Sequence, residues 1–216
     1  MRQRLHQADV PRTPSARDAP VGRATEAVAA RFDARAVVLV EGISDQFALE
    51  ALAARRGRNL GAERVFVVPM GGAQAIGRFL NLFGPHGLEV RVAGLYDAAE
   101  EDEFRRGLER AGFGSRLTRA DMQALGFYMC VADLEDELIR ALGATAVEHV
   151  IDAQGDLGAF RTLQKQPAWR SRPREEQLRR FMGSGGSRKI RYAPLLVDAL
   201  DLTQVPRPLE LVLARV

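Results

Sequence analysis

Val38-Leu39-Val40-Glu41-Gly42-Ile43-Ser44-Asp45 decides how this chain is read. Ala36 to Val40 is a short, continuous apolar run, the pattern of a strand covered on both faces. It ends in a glutamate, then a glycine that permits a tight turn. A stretch with helical spacing follows, with Phe47, Leu49, Leu52 and Ala53 on one side and Gly57 as its stop. In an open parallel sheet the carboxyl ends of the strands are where ligands bind. Glu41 projects there, Asp45 falls on the first helical turn beside it, and Ser44 is a candidate N-cap. The structural alternative is a solvated Glu41 and an Asp45 that only favours a helix N-terminus.

Outward from this segment the alternation repeats. Strands are expected at Arg64 to Val68, Glu89 to Leu95 and Gly126 to Val131, and helices at Ala73 to Phe83 and Glu101 to Ala111. Strand–helix alternation at this spacing implies a parallel sheet with right-handed crossovers, an α/β fold of about four strands flanked by helices. From Leu134 onward the pattern turns helical: Leu134 to Leu142, Thr145 to Ile151, Leu157 to Gln164, Glu175 to Phe181 and Arg188 to Leu200. Leu209 to Leu213 is open to reading as a further strand. Gly183-Ser-Gly-Gly-Ser187 reads as a mobile loop between two helices. Ala24 to Phe32 reads as a short lead-in helix. Three units follow: a flexible basic arm at 1–23, a core at 24–132, and a helical C-terminal region at 133–216 that completes the site.

Composition narrows the chemistry. The chain is 46% apolar and 27% charged, a globular balance, and no apolar run approaches the length that spans a bilayer. Arg2 and Arg4 have no apolar stretch behind them, so no secretory signal is read and the cytoplasm is the expected compartment. One cysteine, Cys130, excludes an internal disulfide, and three scattered histidines make a zinc site improbable. The net charge is +3, and apart from Lys165 and Lys189 the base is all arginine. Arginine grips phosphate bidentately, although arginine-rich composition is also a habit of high-GC genomes.

Three strand ends carry acids. Glu41 and Asp45 follow the first strand. Asp97 closes the third, with Glu100, Glu101, Asp102 and Glu103 beyond it. Asp133, Glu135 and Asp136 follow the fourth. Carboxylates gathered at one sheet edge repel each other unless cations neutralise them. Oxygen-only donors point to Mg²⁺ or Mn²⁺. Asp102 and Glu103 read as a solvated face in a helix's first turn.

These motifs resemble those of a known fold. Val40-Glu41-Gly42-x-x-Asp45 followed by Tyr96-Asp97 looks like the TOPRIM fold of type IA and type II topoisomerases, bacterial primases and several nucleases. The nearest resemblance is to the TOPRIM domain of overcoming-lysogenization-defect (OLD) nucleases. It extends to Pro69-Met-Gly71-Gly72, Leu134-Glu135-Asp136-Glu137-Leu138 and the late lysine of Ser187-Arg-Lys189. The resemblance implies a TOPRIM-like parallel sheet with a helical C-terminal extension. It implies an Mg²⁺-dependent nuclease acting on nucleic acid, DNA first, with metal held by Glu41, Asp45, Asp97, Glu135 and one of Glu100 or Glu101. Lys189 would stabilise the transition state; its plain alternative is a surface lysine near a helix start. Two departures stand out. The family's Asp-x-Asp at the third strand is Asp97-Ala98-Ala99 here, which leaves a second metal in doubt. OLD proteins also carry an ATPase domain, whereas Gly183 to Lys189 lacks the preceding strand and Gly-Lys-Ser/Thr ending of a phosphate loop. A free-standing TOPRIM protein is therefore expected, with ATP control, if any, from a separate ATPase partner. Two other classes remain open: a nucleic-acid-binding or accessory protein that cleaves poorly, and a phosphotransfer enzyme acting on mononucleotides.

Overall fold

The computed structural model describes residues 34–216, so the expected basic arm and the Ala24 to Phe32 helix lie outside the described residues. A four-stranded parallel sheet forms the centre, with strand order β2-β1-β3-β4. Its strands are β1 (Ala36–Val40), β2 (Val65–Pro69), β3 (Arg91–Asp97) and β4 (Phe127–Cys130). Every β1 residue is buried, as its unbroken apolar run requires. The pleat sends alternate side chains to opposite faces. Ala36, Val38 and Val40 of β1 join Val67, Ala93, Leu95 and Cys130 in one core. Val37 and Leu39 join Val68, Val92, Tyr96 and Phe127 in the other. Gly94 sits where β1 and β4 press in on β3. A Cβ there would meet Leu39 O at 2.9 Å and Phe127 Cδ1 at 3.0 Å, so glycine lets the strands close up.

Helices cover both faces. On one side lie α2 (Ile76–Phe83), entered through a 3₁₀ turn at Ala73–Ala75, then α3 (Glu101–Arg110) and α4 (Arg119–Leu125). On the other lie α1 (Ile43–Arg55), α5 (Leu134–Leu142), α6 (Ala144–Ala153), α7 (Leu157–Lys165), α8 (Arg174–Met182), α9 (Gly186–Ala199) and α10 (Arg207–Arg215). The last helices are not peripheral. α9 packs along α1, and α10 packs on β3 and β4. Arg55 of α1 donates from Nη1 to the carbonyls of Val197 and Leu200, at 2.5 and 2.8 Å, tying the first helix to the end of α9.

Four local expectations are corrected. Leu209 to Leu213 is helical, because Pro206 and Pro208 start a turn whose buried residues Leu209, Val212 and Leu213 recur at helical spacing. α4 was not anticipated. Thr118 and Asp121 close a reciprocal cap over it, Thr118 N donating to Asp121 Oδ2 at 2.8 Å and Asp121 N to Thr118 Oγ1 at 3.2 Å. Gly186 and Ser187 belong to the first turn of α9, so the connection from α8 is shorter than the glycine-rich run implied. Ser44 does not cap α1. Gly42 occupies that position, and Ser44 is buried as the second residue of the helix.

Candidate metal centre

Parallel neighbours end on the same side, so β1, β3 and β4 deliver their following residues to one edge. Leu39 is in register with Gly94, and Asp97 with Cys130. Glu41 therefore stands beside Asp97, with Asp133 just past β4. These three, with Asp45, line one cavity of about 290 Å³; Gly42, Ser44, Gly71, Gly72 and Lys189 complete its wall. Two glycines fix Glu41 from the β2 side. Gly71 and Gly72, at φ of 79° and 118°, donate their N–H groups to the Glu41 carbonyl at 3.0 and 3.2 Å. Side chains with a Cβ rarely adopt those angles, which is what the Pro69-Met-Gly-Gly turn supplies. Asp45 is held by its own turn: Gly42 N donates to its Oδ2 at 2.8 Å.

The electrostatics are those of a crowded carboxylate cluster. Burial, then the neighbouring Glu135 charge, pushes Asp45 up to about 7 from its ordinary 3.8. Burial, then Glu41 and Asp133, pushes Asp97 up to about 8. Glu135 is 2% exposed and burial raises its carboxyl too, against the pull of Lys189. Burial disfavours the Lys189 charge, yet Glu135, Asp45 and Asp133 together hold its ammonium above the ordinary lysine range. Lys189 Nζ pairs with Glu135 Oε2 at 2.9 Å, while Glu135 Oε1 is buried with no partner.

A buried carboxylate with a single partner, and two acids driven toward protonation by burial and then by their neighbours, are what a hard cation would relieve, and every donor here is an oxygen. The donor set therefore suits a hard divalent cation. Among the described residues no three His, Cys, Asp or Glu side chains stand close enough to chelate one ion as they lie, so coordination requires the cavity carboxylates to turn inward together.

Of the residues singled out by sequence, the structure brings Glu41, Asp45, Asp97 and Lys189 to the cavity, with Glu135 paired behind Lys189. It does not bring Glu100 or Glu101, neither of which lines the cavity. The chain leaves β3 through a 3₁₀ turn at Ala98–Glu100 that carries the following acids onto α3. Glu101 is bound there by Arg105 at 3.0 Å and by Arg119 at 2.6 Å. Asp102 and Glu103 pair with Arg105 and Arg106 along the same helix. Ala99 is exposed and also outside the cavity wall. The strand-end acid that completes the wall is Asp133, which the chosen ligand set passed over for Glu135. The signal was its distance from β4, three residues past Cys130 rather than five. Asp133 is already engaged: Oδ1 accepts from Asp136 N and Oδ2 pairs with Arg179 Nε, both at 2.8 Å. Tyr96, one residue before Asp97, points the opposite way and stacks on Phe104 with ring centroids 5.0 Å apart.

Comparison with known proteins agrees with this geometry. Residues 32–98 match the overcoming lysogenization defect protein-like TOPRIM domain. The chain carries an OLD-like TOPRIM domain. The match spans β1 to the end of β3 and so contains Glu41, Asp45 and Asp97. The fold likeness runs further. The C-terminal region of the Xanthomonas campestris pv. campestris OLD protein aligns over 84% of this chain and 94% of that one, at 23% identity and a TM-score of 0.66. The C-terminal region of the Burkholderia pseudomallei OLD protein aligns over 84% and 96%, at 21% identity and a TM-score of 0.65. At such identities the likeness is one of fold. At 84% of the chain it extends well beyond residues 32–98 of the family match. No curated protein matches the chain. Among the described residues no helix is long and apolar enough to cross a membrane.

Proposed function

We propose that this chain is an Mg²⁺-dependent nuclease that hydrolyses phosphodiester bonds, with DNA as its first substrate and the cytoplasm as its place of action. The observation that carries the reading is the cavity at the ends of β1, β3 and β4, where Glu41, Asp45, Asp97 and Asp133 face Lys189. Glu41, Asp45 and Asp97 would hold the metal, with Glu135 behind them. Mn²⁺ could replace Mg²⁺ on this donor set. Bound there, the metal would supply Lewis acidity at a phosphoryl oxygen.

The protein's own groups do the rest. Gly42 N holds the Asp45 carboxylate in place, and the Gly71 and Gly72 N–H groups fix the backbone from which Glu41 projects. Asp97, whose proton affinity is raised by burial and by Glu41 in the metal-free cluster, would give up its proton on binding the metal and serve as a ligand. Lys189 places a positive charge where the negative charge of the transition state grows, the role of a preorganised electrostatic group. To serve there it must turn from Glu135, which the metal would then neutralise. The fold relatives are C-terminal regions of OLD proteins. The reading therefore includes an ATPase component acting with this domain.

Nicking of supercoiled plasmid tests the reading, with Mg²⁺, Mn²⁺ or EDTA and with Glu41→Gln as control. Metal-dependent nicking lost in the variant is expected. Metal-dependent DNA binding without nicking would replace the nuclease with an accessory binder. Release of phosphate from mononucleotides without nicking would replace it with a small-molecule enzyme.

A further inference from the structure

A second cavity opens directly beside the acidic one. It has a volume of about 590 Å³, within the usual range of small-molecule sites. Its surface is largely apolar, made by Ile43 at the start of α1, Pro69 and Met70 at the end of β2, Ala75 in the 3₁₀ turn, and Ile190 on α9. Gly42, Ser44, Gly71 and Lys189 line both cavities, so the two meet along a common wall. Arg78 also lines the apolar cavity.

We propose that this apolar cavity is a base-binding subsite, taking the nucleobase of the nucleotide whose phosphate lies in the acidic cavity. The inference rests on the nuclease reading and adds what the substrate offers beside its phosphate. With the phosphate in the acidic cavity, the apolar surface one wall away suits a flat neutral heterocycle. Met70, 4% exposed, contributes a polarizable thioether, a group that packs well on aromatic rings. The shared lysine would lie between base and phosphate, where one cation can face the backbone. An apolar slot reads the face of a base rather than its edges, so every base should be accepted and a missing base rejected. It follows that the substrate strand must be locally unpaired, because a stacked, paired base cannot enter a side cavity.

Homo-oligomers remove the uncertainty of register. Binding of oligothymidylate, oligodeoxyadenylate and an abasic tetrahydrofuran oligomer of equal length is measured by fluorescence anisotropy, with Ca²⁺ as the cation to slow hydrolysis. The parent should bind both base-bearing oligomers at least about tenfold more tightly than the abasic one. Ala75→Trp, which fills the cavity from the 3₁₀ turn, should bring the three to near parity while Mn²⁺ affinity, read by calorimetry, is unchanged. Ile190→Ala should weaken the base-bearing oligomers alone, and it decides the matter if Ala75→Trp does not fold. Equal binding of all three by the parent, or a preference that survives in folded Ala75→Trp, overturns the subsite and leaves the nuclease reading standing. A parent that binds Mn²⁺ but none of the oligomers overturns both.

Discussion

Replacing Asp45 by asparagine tests the metal centre without any substrate. The side chain is 8% exposed, and burial followed by the Glu135 charge pushes it from 3.8 up to about 7. A carboxyl whose proton affinity rises on folding opposes the folded state once ionised. The penalty is absent below the unfolded value, grows between about pH 4 and pH 7, and is complete above that. Three powers of ten in proton affinity correspond to about 4 kcal/mol. Part of that is shared with Glu135 and Glu41, which are relieved together with it, so about 1–4 kcal/mol is the expected gain. Asparagine keeps an oxygen for the Gly42 N–H, now 2.8 Å from Asp45 Oδ2, so the turn survives. Without metal, Asp45→Asn should therefore melt about 3–10 °C above the parent at pH 8. The advantage should vanish near pH 4. Melting followed by circular dichroism in EDTA at both values measures this. Added Mn²⁺ should reverse the order, because only the parent gains stability by binding it. A variant that melts at or below the parent at pH 8 in EDTA, or that gains as much from Mn²⁺, would refute the reasoning.

Three further outcomes are expected. Glu41→Gln should lose Mn²⁺ binding in a calorimetric titration while its melting temperature in EDTA holds or rises; unchanged affinity would remove Glu41 from the centre. Lys189→Met should lower the single-turnover cleavage rate by about 10²–10³ with Mn²⁺ affinity retained. If the rate holds and only the salt dependence of DNA binding becomes shallower, Lys189 is one phosphate contact among many. Arg179→Met should tighten Mn²⁺ binding, because it frees the Asp133 oxygen now paired at 2.8 Å; unchanged affinity would leave Asp133 as cavity wall alone.

The sheet and its acidic edge were legible because they follow from period-two burial and strand ends. An unbroken apolar run such as Ala36 to Val40 requires cover on both faces, and a parallel neighbour then fixes where Glu41 and Asp97 emerge. The same reasoning failed one turn later. Glu100 and Glu101 are close to Asp97 in sequence, but a 3₁₀ turn after a strand rotates each residue away from the last, and two arginines then claim Glu101. Glu135 and Asp133 could not be ranked for a related reason. Which first-turn acid faces the sheet depends on how α5 crosses β4, and that is set by packing against α8 and α9, far along the chain. The Leu209 to Leu213 run was ambiguous because a short apolar stretch fits either period, and the prolines before it carried the answer.

Lys189 and Glu135 show why the late helices cannot be separated from the site. Their ion pair joins α9 to α5, and α9 in turn packs along α1, the helix that begins just after Glu41 and Gly42. For stability alone the pair is a poor choice. A carboxylate 2% exposed, with one ammonium at 2.9 Å as its partner, costs desolvation that a single ion pair does not fully return. Apolar residues of similar size would fill the space between α5 and α9 better. A buried charge kept beside four strand-end carboxylates makes sense when a further cation enters. With the proposed metal bound, Glu135 would gain a second partner and Lys189 would be freed to face the cavity it already lines, on a helix packed along α1. On that reading, the groups that burden the metal-free protein are those that would bind the ion.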